Sequence, residues 1–275
     1  MKIAMFGGSF NPVHNGHIEL AKAVHEQAGY DKVLFVPAYH SPFKELPSGA
    51  SDEDRLCMLR LALEGFDWAF IEDCELKRGG VSYTYETVEF LVQKYTASGE
   101  YDEKRDGKLG LVIGADLAAG FTRWHRAEEL AAKVDIILAR RKLACSGSDA
   151  DYGHEAATDA DYGYDAAAAQ NGHDAAPDAT TQAAKLTTDA AKLSHGLPFA
   201  HYELKNPYVD VSSSEIRDAV HAAGNVKTAQ SGASCGSKSA KTAQSSKIEQ
   251  SAKNALLALV PERVCDYILE RGLYD

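Results

Sequence analysis

Two histidines near the start of the chain could take part in phosphate chemistry. They belong to the stretch Gly7-Gly8-Ser9-Phe10-Asn11-Pro12-Val13-His14-Asn15-Gly16-His17. Its glycines would let the backbone approach phosphate oxygens, and a helix that begins near Gly16 would add N–H groups and a partial positive charge. His14 and His17 are three residues apart, so they can face the same way in the first turn of that helix. Two imidazoles placed there could donate hydrogen bonds to a triphosphate undergoing substitution.

Each part of this stretch also has a simpler explanation. A glycine pair after a strand is usually just a turn, and two histidines at this spacing sometimes bind a metal. Tetrahedral zinc needs three or four ligands, however, and no third ligand is spaced near His14 and His17, so we predict no metal site on them. The stretch also differs from the Walker A motif, which needs Gly-Lys-Ser/Thr, and from Gly-x-Gly-x-x-Gly.

A second candidate site lies far along the chain, at Val211-Ser212-Ser213-Ser214-Glu215-Ile216-Arg217. Ser212 and Glu215 have the spacing of a capping box before a helix, which is one interpretation. Consecutive hydroxyls, a helix N-terminus and Arg217 in its first turn would also make a phosphate clamp. Together the two stretches could hold a triphosphate from both sides.

The segments that position these residues alternate between strand and helix. The predicted strands are Ile3–Phe6, Lys32–Pro37, Trp68–Ile71, Leu109–Ile113 and Asp135–Ala139. The predicted helices are Gly16–Gln27, Glu53–Leu63, Thr84–Tyr95, Glu128–Lys133 and Ile216–Ala223. This alternation predicts an α/β fold, a Rossmann-like, doubly wound parallel sheet in a single domain. Such a sheet binds ligands at the carboxyl ends of its strands.

Two stretches of biased composition interrupt this pattern. Residues 145–198 carry nine acidic residues and two lysines, whereas residues 225–255 carry five lysines and one glutamate. Neither has enough large apolar residues to offset its ordering entropy, so we expect both to be disordered low-complexity insertions. The folded domain would then be formed by residues 1–144 and 199–224, with a C-terminal helix at 256–275.

The composition excludes several classes of function. The 275 residues are 45% hydrophobic and 25% charged, as in ordinary globular proteins. A net charge of −11 argues against a nucleic-acid partner, because phosphate backbones are held by an excess of Lys and Arg. Five cysteines without a Cys-x-x-Cys pair disfavour disulfides. Without a signal peptide or a membrane-length apolar run, we expect a cytoplasmic protein with no membrane partner.

The first stretch as a whole resembles the signature of the nucleotidyltransferase superfamily with His-x-Gly-His, in the form of bacterial nicotinate-mononucleotide adenylyltransferases. The second is similar to the Ile-Ser-Ser-Thr-x-Ile-Arg motif of that family, with Val211 and Ser214 as mild replacements. The resemblance implies a set of ATP-binding residues: Gly7, Gly8, Ser9, Phe10, His14, His17, Gly114, Asp116, Ser213, Ser214 and Arg217. Among them, Gly114-Ala115-Asp116 is similar to the family's turn after a strand, in which the aspartate binds ribose hydroxyls.

Segments between the two motifs resemble the same family in order. Pro42-Phe43-Lys44 resembles its phosphate-binding loop, although Phe43 stands where histidine is common. The resemblance implies acceptor binding by Tyr83, Thr84, Thr87, Trp124 and His125, and catalysis by His14, His17, Lys44 and Arg217. Taken alone, Trp124 would more often be a core residue, and Asp116 more often a helix cap.

The resemblance implies transfer of AMP from ATP to nicotinate mononucleotide, which gives deamido-NAD and pyrophosphate in NAD biosynthesis. The partners are then ATP and nicotinate mononucleotide, and the cofactor is Mg²⁺ bound mainly through the ATP phosphates. Two alternatives stay open: an adenylyltransferase for nicotinamide mononucleotide or phosphopantetheine, and a non-catalytic nucleotide sensor. The sequence leaves open whether the chain forms a homo-oligomer.

Overall fold

The computed structural model describes residues 1–40, 49–139, 197–206, 211–231 and 253–274. The chain divides into two units, Met1–Lys142 with Leu186–Asp275, and Leu143–Lys185. All of the described residues belong to the first unit. The second unit, Lys44 and most of the two predicted insertions lie outside the described residues.

Six parallel strands form one sheet in the order β3-β2-β1-β4-β5-β6. The strands are β1 (Ile3–Gly8), β2 (Lys32–Pro37), β3 (Ala69–Ile71), β4 (Leu109–Gly114), β5 (Val134–Ala139) and β6 (His201–Glu203). This order is that of a doubly wound Rossmann-like sheet, so the predicted fold class is confirmed.

Helices connect the strands and cover the sheet. They are α1 (Asn15–Ala28), α2 (Asp52–Leu63), α3 (Cys74–Arg78), α4 (Thr84–Ala97), α5 (Glu103–Asp106), α6 (Ala115–Ala118), α7 (Ala127–Lys133), α8 (Ser213–Ser231), α9 (residues 253–257) and α10 (Glu262–Arg271). A 3₁₀ turn lies at Phe121–Arg123. Within the described ranges, no helix is both long and apolar enough to cross a membrane.

The strands are apolar on both faces because helices cover both. On β1, Ala4 and Phe6 point into one core, to which α1, α2, α8 and α10 contribute. Their neighbours Ile3 and Met5 point into a second core, which α4 and α7 complete. This alternation is the period of two that a strand imposes on its side chains.

From β1 the chain adds β2 and β3 on one side of the sheet and then β4, β5 and β6 on the other side. The strand order therefore reverses between β1 and β4, which are direct neighbours. Ligands of open α/β sheets bind at such a point, outside the carboxyl ends of the strands. Strand β1 ends at Gly8 and strand β4 ends at Gly114. The first histidine stretch and the predicted ribose-binding turn therefore leave the sheet side by side.

Residues at the edges of the two predicted insertions belong to the folded unit. Leu197, which the sequence boundary places within the first insertion, is 1% exposed and packs in the second core. Helix α8 continues to Ser231, beyond the predicted end of its segment at residue 224. Lys253 forms an ion pair of 2.6 Å with Asp266 of α10. Residues 197–198 of the first predicted insertion, and 225–231 and 253–255 of the second, are therefore among the described residues of the folded unit. For the rest of both stretches, the insertions stay a prediction.

Asp54 joins α2 to α10. One carboxylate oxygen of Asp54 accepts hydrogen bonds from the Tyr267 hydroxyl at 2.9 Å and from Arg271 Nη2 at 3.1 Å. The other accepts the backbone N–H of Ser51, the N-cap of α2, at 3.0 Å. Burial raises the pKa of the Asp54 carboxyl, but the hydrogen bonds from Ser51, Tyr267 and Arg271 outweigh this effect and lower the pKa to about 2. The ionised carboxylate thus stabilises the contact between the two helices.

We predict that Asp54→Asn flattens the acid dependence of stability. The folded-state pKa of about 2 lies below the unfolded value of roughly 3.9, so the ionised form stabilises the fold above pH ~4. That stability is lost as the pH falls through the folded pKa. Urea unfolding between pH 7 and pH 2 should show a smaller loss in Asp54→Asn than in the wild type. Glu53→Gln, an exposed carboxylate on the same helix, is the control and should follow the wild type; parallel curves for all three proteins would contradict the assignment.

Candidate active site

The loop between β1 and α1 is held by its backbone carbonyls. The Ser9 carbonyl accepts a hydrogen bond from Arg55 Nη1 at 2.8 Å. The Asn11 carbonyl accepts one from Arg217 Nη1 at 2.7 Å, and the Pro12 carbonyl accepts one from the Ser213 hydroxyl at 2.9 Å. Since each oxygen carries a partial negative charge, these donors compensate charge that would repel a phosphate bound at the loop.

The two predicted phosphate-binding stretches therefore meet. Ser213 and Arg217 lie at the start of α8, more than 200 positions from the carbonyls that they contact. Arg217 Nη2 also donates to the Ser214 hydroxyl at 3.0 Å, which fixes the plane of the guanidinium. The start of α8 thus brings one cation and two hydroxyls to a loop that is followed directly by the two histidines.

The hydrogen bonds at the start of α8 confirm the capping-box interpretation of the second stretch. The backbone N–H of Ser212 donates to Glu215 Oε2 at 2.8 Å, and the Glu215 N–H donates to the Ser212 hydroxyl at 3.2 Å. The two interpretations are compatible because they use different side chains. The box fixes the first turn of α8, and that turn carries Ser213 and Arg217 to the loop.

The two imidazoles are stacked at the N-terminus of α1. Their ring centroids are 3.6 Å apart with an interplanar angle of 29°. His14 is the N-cap residue and is 3% exposed, whereas His17 is half-buried. The backbone N–H of His14 donates to Nδ1 of His17 at 3.2 Å. In the neutral ring, the proton of His17 therefore resides on Nε2, which is the nitrogen able to donate to a ligand.

The buried side chain of Phe10 stabilises the loop. Its side chain is fully buried and its φ is 46°, in the left-handed region that few residues other than glycine adopt. The ring contacts the imidazole of His17 at a centroid distance of 5.0 Å. A Cβ on Gly8 would lie 3.0 Å from the Phe10 ring, which explains the glycine at the end of β1. With its side chain buried, Phe10 could contact ATP only through its backbone.

The predicted ribose-binding turn lies at the end of β4. Gly114 is the N-cap of the short helix α6, and Asp116 is exposed in its first turn. Asp116 is therefore not the N-cap residue of α6. The position beside the β1 loop, at the reversal of strand order, is the one at which such sheets bind a nucleotide.

The predicted acceptor residues come from two segments that the fold brings together. The rings of Tyr83 and His125 are 4.6 Å apart. Half-buried Trp124 lies beside them in sequence and packs against Phe121 at 4.9 Å. Thr84 is half-buried and begins α4 directly after Tyr83. Half-burial leaves part of the Tyr83 and Trp124 rings accessible to a ligand.

The turn that carries Tyr83 is tied to the end of β2. The Ser82 hydroxyl accepts the backbone N–H of Tyr39 at 3.2 Å, and the Ser82 N–H donates to the His40 carbonyl at 2.8 Å. Lys44, the predicted phosphate-binding lysine, follows His40 and lies outside the described residues. These hydrogen bonds fix the position of His40, the last described residue before Lys44.

Thr87 is fully buried and therefore differs from the other predicted acceptor residues. Its hydroxyl donates to Glu75 Oε1 at 2.6 Å and accepts from Arg78 Nη2 at 3.2 Å. Glu75 is itself 4% exposed. Thr87 can therefore influence a bound acceptor only through the residues it holds, and Arg78, whose side chain is one-third exposed, is the nearest of them to solvent.

Sequence reasoning missed Arg55. Its guanidinium is 1% exposed, donates to the carbonyls of Ser9 and Ala38 at 2.8 Å each, and pairs with Asp52 at 2.6 Å. An arginine within an acidic first helical turn predicts a surface ion pair, and nothing in its spacing indicates a contact with the loop after β1.

In the part of the chain that the structure describes, no group of three His, Cys, Asp or Glu side chains could hold a metal ion.

Comparisons with known proteins place the chain in a family. The sequence profile described as cytidylyltransferase-like matches residues 5–219, which is most of the chain. The chain belongs to the cytidylyltransferase-like family. The match begins within β1 and ends within α8, so it includes both motifs.

Several relatives of this family member have more specific names. A probable nicotinate-nucleotide adenylyltransferase of Treponema pallidum (strain Nichols) is 48% identical over 141 residues, which cover 51% of this chain and 66% of the relative. A protein of the same name from Hydrogenobaculum sp. (strain Y04AAS1) is 43% identical over 141 residues, covering 51% and 69%. The chain spans about two thirds of the length of these relatives.

A solved structure shares the fold of this family member. The Plasmodium falciparum nicotinic acid mononucleotide adenylyltransferase complexed with NaAD aligns with a TM-score of 0.55 at 15% identity. The alignment covers 100% of this chain and 97% of that one. At this identity the likeness concerns the architecture of the sheet and its helices.

We predict that Thr87→Val destabilises the domain although it preserves the volume of the side chain. The substitution leaves the buried Glu75 carboxylate without its hydroxyl donor, which should cost about 1–3 kcal/mol in the free energy of unfolding. Thr87→Ser, which retains the hydroxyl, is the control and should lose less. Urea unfolding of both variants measures the difference. Equal stability of Thr87→Val and the wild type would show that the buried hydrogen bond contributes nothing net.

Proposed function

We propose that this chain transfers AMP from ATP to nicotinate mononucleotide and releases pyrophosphate, giving deamido-NAD in the cytoplasm. The observation that carries the proposal is the meeting of two distant motifs at one loop, where Arg217 and Ser213 bond to the carbonyls of Asn11 and Pro12. The names of the bacterial relatives support the acceptor, and the position of the loop at the reversal of strand order supports a nucleotide ligand.

The proposed reaction needs alignment more than proton transfer. The attacking group is a phosphate monoester with a second pKa of about 6, so it is already mostly dianionic at neutral pH. Its oxygen bonds to the α-phosphorus of ATP, and the bond to the bridging oxygen of pyrophosphate breaks. The protein then has to align two polyanions that repel each other and to disperse charge as pyrophosphate leaves.

We assign the triphosphate to the loop after β1 and to the start of α8. His17 would donate from Nε2, since its Nδ1 accepts the backbone N–H of His14. The ring of His14 is buried, so His14 would act through the ring of His17 on which it stacks. The remaining contacts would come from the N–H groups near Gly7, Gly8 and Ser9. Arg217, Ser213 and Ser214 would approach the phosphates from the side of α8, where the guanidinium is already oriented.

The acceptor would lie across the two aromatic segments. Tyr83, Thr84, Trp124 and His125 would surround the pyridine ring, and half-buried Trp124 offers a face for stacking. Gly114 and Asp116 would bind ribose hydroxyls at the end of β4. Lys44 would hold phosphate at the junction of the two substrates. Thr87 would act indirectly, through Arg78 and Glu75.

Mg²⁺ would enter with ATP. The described residues offer no cluster of carboxylates or imidazoles for a resident ion, and Mg²⁺ commonly binds nucleotides through phosphate oxygens and water. When bound, it would neutralise charge on the phosphates as pyrophosphate leaves. The residues of the chain would orient that complex and supply the remaining donors.

A pyrophosphate-release assay with three acceptors tests the proposed function. With ATP and Mg²⁺, nicotinate mononucleotide should give the highest kcat/KM, above nicotinamide mononucleotide and phosphopantetheine. The dinucleotide should form in equal amount to pyrophosphate. Preference for another acceptor would change the assigned substrate, and ATP binding without any turnover would indicate a nucleotide sensor.

We predict that His17→Ala lowers kcat by roughly 10²–10³, the loss typical of one preorganised donor to a developing charge. The fold should survive because His17 is only half-buried. His25→Ala is the matched control: His25 lies in the last turn of the same helix and stacks on Trp68, away from the loop. Steady-state kinetics and thermal unfolding of both variants measure the effect. Near-normal turnover of His17→Ala would refute its role.

We predict that deletion of residues 146–195, bridged by a short Gly-Ser linker, leaves kcat within about twofold of the wild type, because surface insertions contribute little to the closure of a folded domain. The deletion stops before Leu197, which is buried in the core. The control adds Leu197→Ala and should lose about 2–5 kcal/mol of stability. Loss of folded protein on the deletion alone would show that the segment is structural.

A further inference from the structure

One side chain outside both motifs reaches the loop after β1. The hydroxyl of Tyr274 donates to Asn11 Oδ1 at 2.5 Å, and the two residues are 7% and 1% exposed. The backbone carbonyl of the same asparagine accepts from Arg217. Asn11 is thus held at its side chain by one distant segment and at its backbone by another. Burial raises the pKa of Tyr274, so its hydroxyl stays protonated and remains a donor at neutral pH.

The backbone of Tyr274 is itself in an unusual conformation. Its φ is 69°, in the left-handed region that side-chain-bearing residues rarely adopt. The ring lies against Gly49, where a Cβ would be 2.8 Å from a ring atom. A residue stays in such a conformation only where its surroundings determine it strongly, and such residues concentrate near functional sites. Tyr274 lies beyond α10, which ends at Arg271, so the packing of that helix does not require this backbone conformation.

The helix that precedes Tyr274 is fixed to α2 at the same end of the molecule. Tyr267 and Arg271 both donate to the buried carboxylate of Asp54. The next residue of α2, Arg55, donates to the Ser9 carbonyl of the loop. Helix α2 thus contacts the loop at Ser9 through Arg55, whereas the contact at Asn11 comes from Tyr274 in the segment after α10.

We propose that Tyr274 is a positioning residue for the reaction: its hydroxyl holds Asn11 and thereby sets the geometry of the phosphate-binding loop and of Arg217. The inference rests on the proposed adenylyl transfer. It assigns to Tyr274 a role that depends on one oxygen atom, whereas a role in packing depends on the ring. The hydroxyl acts at the ATP side of the site, so the acceptor pocket around Tyr83 should be insensitive to it.

Two tyrosine variants of the same segment separate these roles. Tyr274→Phe removes the hydrogen bond to Asn11, and the matched control Tyr267→Phe removes the one to Asp54 of α2 but leaves the bond to Asn11 in place. Tyr274→Phe should lower kcat/KM for ATP about tenfold or more, since small displacements of reacting groups are costly, while KM for nicotinate mononucleotide stays the same. Tyr267→Phe should lower stability but keep kcat/KM for ATP within about twofold of the wild type. Equal kinetic effects of the two variants would overturn the inference.

A double-mutant cycle with Asn11→Ala tests the coupling. If Tyr274 acts through Asn11, adding Tyr274→Phe to Asn11→Ala should cause no further loss in kcat/KM for ATP. Multiplicative losses would contradict the inference. Should Tyr274→Phe fail to fold, Asn11→Ala removes the same hydrogen bond from the other side and must itself lower kcat/KM for ATP about tenfold or more.

Failure of the proposed function has a separate signature. A wild-type protein that binds ATP in calorimetry but makes no dinucleotide with any acceptor would refute the adenylyl transfer. The role of Tyr274 would then be read from ATP affinity alone, which Tyr274→Phe should weaken and Tyr267→Phe should leave unchanged. Unchanged affinity in both variants would refute the positioning role as well.

Discussion

Negative charge at the loop after β1 is the constraint on which the rest of the structure depends. The carbonyls of Ser9, Asn11 and Pro12 carry partial negative charge, and Arg55, Arg217 and Ser213 compensate it by hydrogen bonds. The proposed binding of a triphosphate at this loop requires that compensation. These donors come from α2 and α8, which lie far apart in sequence and pack on the same face of the sheet. The parallel sheet matters chiefly because it brings their N-terminal turns to one edge.

Much of the fold could be predicted from the sequence because its signals are local. Long apolar strands and periodic helices indicate their own type, so β1, β2 and α1 lie within two residues of their predicted bounds. Strand β6 and helices α3, α5 and α6 are three to five residues long, too short to show a period. Compositional bias indicated the insertions, but it carried no information about packing, and buried Leu197 fell on the wrong side of the boundary.

The candidate site shows the same division. The glycine, histidine and serine motifs predict a phosphate-binding site, whereas the residues that hold these motifs in position belong to no motif. Arg55 reads as half of a surface ion pair, and Tyr274 reads as part of a closing helix. Their roles arise from tertiary contacts with Ser9 and Asn11, which no local pattern encodes. Thr87 matched a binding motif but is fully buried. The motif could not reveal this, because a sequence pattern does not distinguish a residue that contacts a ligand from one that holds its neighbours in place.

The central claim is that one bound triphosphate contacts both the stacked imidazoles and the start of α8. A crystal structure with Mg²⁺ and a non-transferable ATP analogue tests it most directly. The account predicts phosphate oxygens within hydrogen-bonding distance of His17 Nε2 and of the Arg217 guanidinium, with the adenosine at the ends of β1 and β4. A triphosphate bound in another cleft, or one that contacts the imidazoles while Arg217 faces away, would contradict it.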